Sequence, residues 1–236
     1  NGIPGNGTPG NEPPANGGAR EFAPALEALV AHVATLADHI VGFDFPFSLP
    51  AELIDQASWR SFVRSFATEF DTPERFRDRC RAITGGRELK RKCDTEARVP
   101  WCAYNLRLYR QTWSGIRHVL HPLVAENRAR VIPMQTEQPG KPTIAEICPA
   151  SLLKHEDLYK PYKGSGATLR ASRETILRSV TRRKMLLPIR GNLRRTILDN
   201  PGGDALDAVL SALAVARIET PLPRDKYDRI ESRVYF

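Results

Sequence analysis

Carboxylates recur in this chain at three places where the neighbouring residues make a charge expensive. Asp44 closes the run Ile40-Val41-Gly42-Phe43, Glu146 sits inside Ile144-Ala145-Glu146-Ile147-Cys148, and Asp204 and Asp207 open an apolar segment that continues through Leu206, Val209, Leu210 and Leu213. An ionised carboxylate in apolar surroundings has to be neutralised, paired or used to hold a cation. Two acids at strand positions and one or two on a late helix are what a divalent-metal phosphodiesterase site needs. That arrangement raises a nuclease reading before any other motif is considered.

The elements that must position these acids follow from the local pattern. Ile40 to Asp44 reads as a short buried strand, and Pro46 and Pro50 bar its continuation because proline donates no ladder hydrogen bond. Asp44 therefore stands at a strand's C-terminal end, where open α/β sheets place their ligands. Thr143 to Cys148 is a second strand, with Ile144, Glu146 and Cys148 on one face and Ala145 and Ile147 on the other. The alternative to a bound cation at Glu146 is a strand-end glutamate that reaches solvent or a nearby arginine. Residues 129–134 form a weak strand or an extended loop. Asn200-Pro201-Gly202-Gly203 is a turn that leads into a helix from Asp204, whose first turn projects Asp204 and Asp207 together. Capping of the helix start accounts for Asp204 and less well for Asp207.

Elsewhere the pattern is mainly helical. Leu26, Leu29, Val30 and Val33 recur at helical spacing up to Asp38, and Ala51 to Ala125 is mostly helical, with Trp59, Phe62, Val63, Phe66 and Phe70 as a core stripe. Residues 1–20, rich in Gly, Pro and Asn, read as a flexible arm or a loop. The 236 residues, 41% hydrophobic and 26% charged, suit one domain, residues 21–236, with a helical insertion at about 51–128. No apolar run approaches the roughly 18–20 residues that span a bilayer. Cys80, Cys93, Cys102 and Cys148 lack zinc-ligand spacing and read as free thiols, and with no signal peptide at the start the expected location is cytoplasmic.

The net charge of +8 is concentrated: twelve Lys or Arg stand against three acids between Lys154 and Arg195. A basic surface of that density attracts polyanions by releasing their condensed counterions, which makes nucleic acid the expected partner. Lys160, Lys163, Arg170, Arg173, Arg182, Arg183 and Lys184 are the candidate phosphate contacts, with Arg91 and Lys92 from a second cluster at Arg87 to Asp94. Lys163-Gly164-Ser165-Gly166 lacks the glycine spacing of a phosphate-binding P-loop and reads as a loop that orders on substrate.

In order, Ile40-Val41-Gly42-Phe43-Asp44-Phe45-Pro46, Ile144-Ala145-Glu146-Ile147-Cys148-Pro149-Ala150 and Asp204-Ala205-Leu206-Asp207-Ala208-Val209 resemble the motifs of domain-of-unknown-function family 429, whose members are described as predicted RNase H-like nucleases. The resemblance runs from Ile40 to Phe236. It implies an α/β fold, an RNase H-like mixed sheet flanked by helices. It also implies Asp44, Glu146 and Asp207 as catalytic acids, and Asp44, Glu146, Asp204 and Asp207 as ligands of Mg²⁺ or Mn²⁺. RNase H-like folds open with a three-strand meander that carries a further aspartate. No such strand is legible before Phe22, so the expectation is that it precedes Asn1. The alternatives are a nucleic-acid-binding module without catalysis and a phosphotransfer enzyme on the same scaffold.

Overall fold

The computed structural model describes residues 18–219 and 222–236. The expected arm at residues 1–17 lies outside the described residues, and at 18–20 the chain is already in the first helix, not in an arm. The elements follow in the order α1 (Gly18–Ala34), β1 (Ile40–Phe43), a 3₁₀ turn (Ala51–Leu53), α2 (Trp59–Glu69), α3 (Pro73–Ile83), α4 (Lys92–Glu96) and α5 (Tyr109–Ser114). A π-helical turn (Gly115–Leu120) joins α5 to α6 (His121–Ala125), and then come β2 (Arg130–Ile132), β3 (Thr143–Ile147), α7 (Pro149–His155), α8 (Ala167–Arg182), α9 (Gly191–Asp199), α10 (Asp204–Val215), α11 (Asp228–Glu231) and β4 (Val234–Tyr235).

β3 is the centre of the sheet. β1 pairs with it along one edge, in the register Ile40↔Thr143 to Phe43↔Glu146. On the other edge β2 pairs with its first half and β4 with its last two residues. These pairings are all parallel, so the mixed sheet expected from the resemblance is not what the described residues form. Parallel strands need long crossovers, and helices supply them here. β4 was not foreseen, because a two-residue strand carries no periodicity to read.

Side chains alternate across β3 into two apolar layers. Ile144 packs with α1, α2, α3, α5 and α6, where Trp59, Phe62, Val63, Phe66, Phe70 and Phe76 are buried. Ala145 and Ile147 pack with α7 to α10 through Leu152, Ile176, Leu177, Ile197, Leu206 and Leu210. The helical stretch at about 51–128 forms, together with α1, one layer of a helix–sheet–helix sandwich. Its helices start where side chains can cap them: Ser58 and Thr72 accept from the backbone N–H of Ser61 and Arg75, each at 3.2 Å. The π-helical turn precedes Pro122, whose ring and missing N–H disturb a regular ladder.

Gly42 decides how closely α10 approaches β1. A Cβ there would lie 2.6 Å from Ile147 Cγ1 and 2.8 Å from Val215 Cγ2, contacts that real side chains do not make. With a hydrogen at that position α10 lies directly on the strand. Among the described residues no helix is long and apolar enough to cross a membrane. The four cysteines are free, and Cys80, Cys93 and Cys102 are buried.

Candidate functional site

Asp44 leaves β1 at its C-terminal end and the chain turns at once into Phe45-Pro46-Phe47-Ser48-Leu49-Pro50, all buried. Side-chain bonds stand in for ladder partners here. The Glu146 carboxylate accepts from the Phe47 N–H at 3.0 Å, and the Trp59 indole donates to the Phe47 carbonyl at 2.9 Å. Asp44 is fixed from its other side by Gln111, whose Nε2 donates to the Asp44 carbonyl oxygen at 2.6 Å.

Asp207 comes to the same place from α10. The helix begins after Gly203, which adopts a left-handed φ of +80° that glycine reaches without strain. Asp207 is buried in the first turn. One carboxylate oxygen accepts from the Tyr162 hydroxyl at 2.5 Å, and the other meets the Lys163 ammonium at 2.7 Å. Burial first, and then the charge of Asp207, push Asp44 up from 3.8 to about 7, against the opposing pull of Lys163 and with a lesser push from Glu146. Burial disfavours the ammonium of Lys163, but its bond to Asp207 and the charges of Asp207, Asp44 and Asp204 outweigh that and raise its pKa. The Tyr162 phenol is pushed upward by burial and by Asp207, and therefore remains a donor.

The Tyr162–Gly164 loop is anchored by Arg173. Its guanidinium donates to the carbonyls of Leu198 at 2.8 Å, Tyr162 at 2.6 Å and Gly164 at 3.2 Å, while the Gly164 N–H donates to the Pro201 carbonyl. The loop expected to order on substrate is thus already tied to α9 and to the turn before α10. Arg173 is buried and spent on backbone carbonyls, so it is not a phosphate contact.

Glu146 has a different role from the one expected. In register with Phe43 and on the Ile144 side of β3, it points into the layer away from α10, whereas Asp44 continues the Gly42 side. There it forms a two-pronged ion pair with Arg91, which also binds Asp94 and the Glu231 carbonyl, so that the guanidinium makes five hydrogen bonds. Arg91 is 1% exposed and Glu146 is 2% exposed. Burial opposes the charge on Arg91, yet Asp94 and Glu146 hold its pKa well above the usual value. Glu146 is therefore not a metal ligand here, and Arg91 is not a phosphate contact: each spends its charge on the other. The network ties α4 and the C-terminal segment to the sheet, and Glu231 extends it by accepting from the N–H groups of Ala51 and Lys92.

The remaining candidates lie on the surface. Asp204 is exposed at the start of α10 and acts on the pair through its field on Lys163. Lys92 pairs with Asp225 and Glu96. Lys160 is in the loop between α7 and α8, Arg170 pairs with Asp199, and Arg183 with Glu156. Arg182, Arg183 and Lys184 are at the far end of α8, roughly 24 Å from its start for sixteen residues. The basic surface is on the same layer as Asp207 but extends away from it.

Two cavities meet at Asp44, Gln111 and Lys163. A groove of about 710 Å³ runs between β1 and α10 and is lined by Asp44, Lys163, Asp204 and Asp207. A second cavity of about 340 Å³ opens on the other side, past Asp44, Gln111 and Lys163 towards Trp101 and Tyr159. Among the described residues no three His, Cys, Asp or Glu side chains are grouped as a metal-holding set. Mg²⁺ is nevertheless commonly held by one or two carboxylates with water and substrate phosphate completing the shell. Asp207 already holds one cationic group, the Lys163 ammonium at 2.7 Å, and the charge of Asp44 acts on the same ammonium, so the two acids fit that mode. Sequence reasoning missed Tyr162 and Gln111, since neither has a motif, and it assigned Lys163 to substrate alone. No family model, curated protein or solved structure matches this chain.

Proposed function

We propose that the protein is a divalent-metal-dependent nuclease whose centre is Asp44 and Asp207. One observation carries this reading: two acids from different elements act on one another, so that burial and then the charge of Asp207 raise Asp44 to about 7, while the Lys163 ammonium pairs with Asp207 at 2.7 Å. A buried like-charge pair costs stability unless a cation or a proton relieves it, and functional sites are where such a cost is retained. Two of the acidic motifs that resemble family 429, those of Asp44 and Asp207, point to the same reading.

Asp44 and Asp207 would hold the Mg²⁺ or Mn²⁺ ion, with Asp204 adding negative field at the groove mouth. When bound, the ion would activate water and neutralise charge on the phosphate. The chain's own residues do the rest. Tyr162 fixes the rotamer of Asp207 through its hydroxyl, Gln111 fixes the backbone at Asp44, and Lys163 provides a positive charge at the edge where a phosphate would enter.

The test is cleavage of end-labelled single-stranded DNA, single-stranded RNA and an RNA–DNA hybrid in Mg²⁺ or Mn²⁺ against a chelator control. Asp44→Asn and Asp207→Asn should each abolish metal-dependent cleavage while preserving binding in chelator. Cleavage that persists in either variant at the wild-type rate would reject the assignment.

A further inference from the structure

The 340 Å³ cavity beside Asp44 shares Gln111, Tyr162 and Lys163 with the acid centre and runs from there towards Trp101 and Tyr159. Its volume falls in the range of small-ligand pockets, about 300–1,000 Å³. Its mouth carries two large aromatic side chains that the fold leaves in solvent, Trp101 at 36% exposure and Tyr159 at 51%. The chain's other tryptophans, Trp59 and Trp113, are buried, so exposure of Trp101 is not a general habit of this surface. Each exposed ring has a cation over it: Arg107 lies 5.6 Å from the Trp101 ring centre and Lys154 lies 5.4 Å from that of Tyr159. Lys163 stands at the inner end, between this cavity and the groove beside α10.

Flat aromatic faces with cations beside them, next to a basic entrance, form the surface that single-stranded nucleic acids use. Bases stack on the rings irrespective of sequence, and the cations track the phosphates. A double helix cannot offer a base to a recessed cavity without unstacking it.

We propose that this cavity is a base-binding subsite that takes one unpaired base of a single strand, stacked at Trp101 and Tyr159, and so positions the adjoining phosphate at Lys163 and Asp44. The inference rests on the nuclease reading and deepens it by naming a single-stranded substrate. The phosphodiester presented to the acids is the one next to the stacked base.

Adenosine 5′-monophosphate is titrated into the chain in chelator while tryptophan emission is followed, with ribose 5-phosphate as the baseless control. Trp101 is the solvent-facing tryptophan, so saturable quenching by the nucleotide and none by ribose 5-phosphate is the expected result. Equal response to both would show a phosphate site without a base site and overturn the proposal. Trp101→Ala and, independently, Tyr159→Ala should each weaken binding of a short single-stranded oligonucleotide in chelator by at least about fivefold, the lower end for removal of one stacking partner. An abasic oligonucleotide should be insensitive to either change. Both residues are exposed, so unchanged melting temperatures are expected, and wild-type oligonucleotide affinity in both variants would refute the subsite. The two readings fail separately: nucleotide binding without metal-dependent cleavage removes the nuclease and keeps the base site, whereas cleavage with unaltered binding in both variants does the reverse.

Discussion

Replacing Asp44 with asparagine should make the protein more stable at neutral pH, although it removes an acid from the proposed centre. In the fold Asp44 titrates at about 7 instead of its ordinary 3.8, so the native state holds a proton that the unfolded chain has lost throughout that interval. The stabilisation tied to that proton is complete below about pH 4 and falls progressively until about pH 7, because the native state binds more protons than the unfolded one. A shift of roughly three units at about 1.36 kcal/mol each sets a ceiling near 4 kcal/mol. Asp44 is only partly shielded from solvent, and a buried amide recovers less than it loses, by about 1–2 kcal/mol. The expected gain for Asp44→Asn is therefore about 2 kcal/mol at pH 8, a rise in Tm of roughly 4–8 °C for a chain of this size. At pH 4, where native wild-type Asp44 is protonated, only the amide cost remains and the variant should be less stable than wild type by about 1–2 kcal/mol. Urea denaturation at pH 4, 6 and 8 measures it directly. A variant no more stable than wild type at pH 8, or a difference independent of pH, would show that burial and the charge of Asp207 do not raise Asp44, and the electrostatic basis of the site would fail.

Four further outcomes are expected. Glu146→Gln leaves Arg91 as an under-compensated buried charge and should cost about 3–5 kcal/mol by urea denaturation; full stability combined with abolished cleavage would return Glu146 to the catalytic centre. Tyr162→Phe removes the 2.5 Å donor to a buried carboxylate and should cost about 1.5–3 kcal/mol, read by the same denaturation midpoint. Gly42→Ala places a methyl group 2.6 Å from Ile147 and 2.8 Å from Val215 and should cost about 1–3 kcal/mol, while lowering the Asp44 pKa seen by carboxyl NMR if α10 is displaced. Charge removal at Arg182 and Lys184 should flatten the dependence of log affinity on log salt by roughly 0.7 for each phosphate no longer neutralised, and an unchanged slope would exclude this end of α8 from the binding track.

The sequence made Asp44 and Asp207 legible and Glu146 misleading, for one physical reason. Proline pairs stop strands, and acids that open an apolar helix are visible in the chain, so the placement of Asp44 after β1 and of Asp207 in α10 could be read locally. The signal at Glu146 was also sound: a carboxylate inside a buried strand needs a cation. A metal ion and a guanidinium satisfy that need equally, and the guanidinium lies 55 residues away in sequence. No local pattern records that pairing. The same limit applies to Arg91 and Arg173, whose positive charges looked like substrate contacts and are internal struts. Lys92, Arg182, Arg183 and Lys184, which are exposed, kept the surface position that the charge count implied.

What separates the two classes of acid is strand parity, and the register of β1 on β3 sets it. Phe43 pairs with Glu146, and because side chains alternate, the residues before and after Phe43 face the other layer. Gly42 thus faces α10, where its missing side chain admits the helix, and Asp44 follows on the same side, where the helix brings Asp207. A register shifted by one residue would turn Phe43 towards α10 and Asp44 towards Arg91, breaking both the packing and the acid pair at once. The close approach of α10 and the electrostatic strain at Asp44 are therefore consequences of one register. Close packing at Gly42 favours that register over the cost of bringing two carboxylates together, and the Lys163 ammonium paired to Asp207 relieves part of that cost.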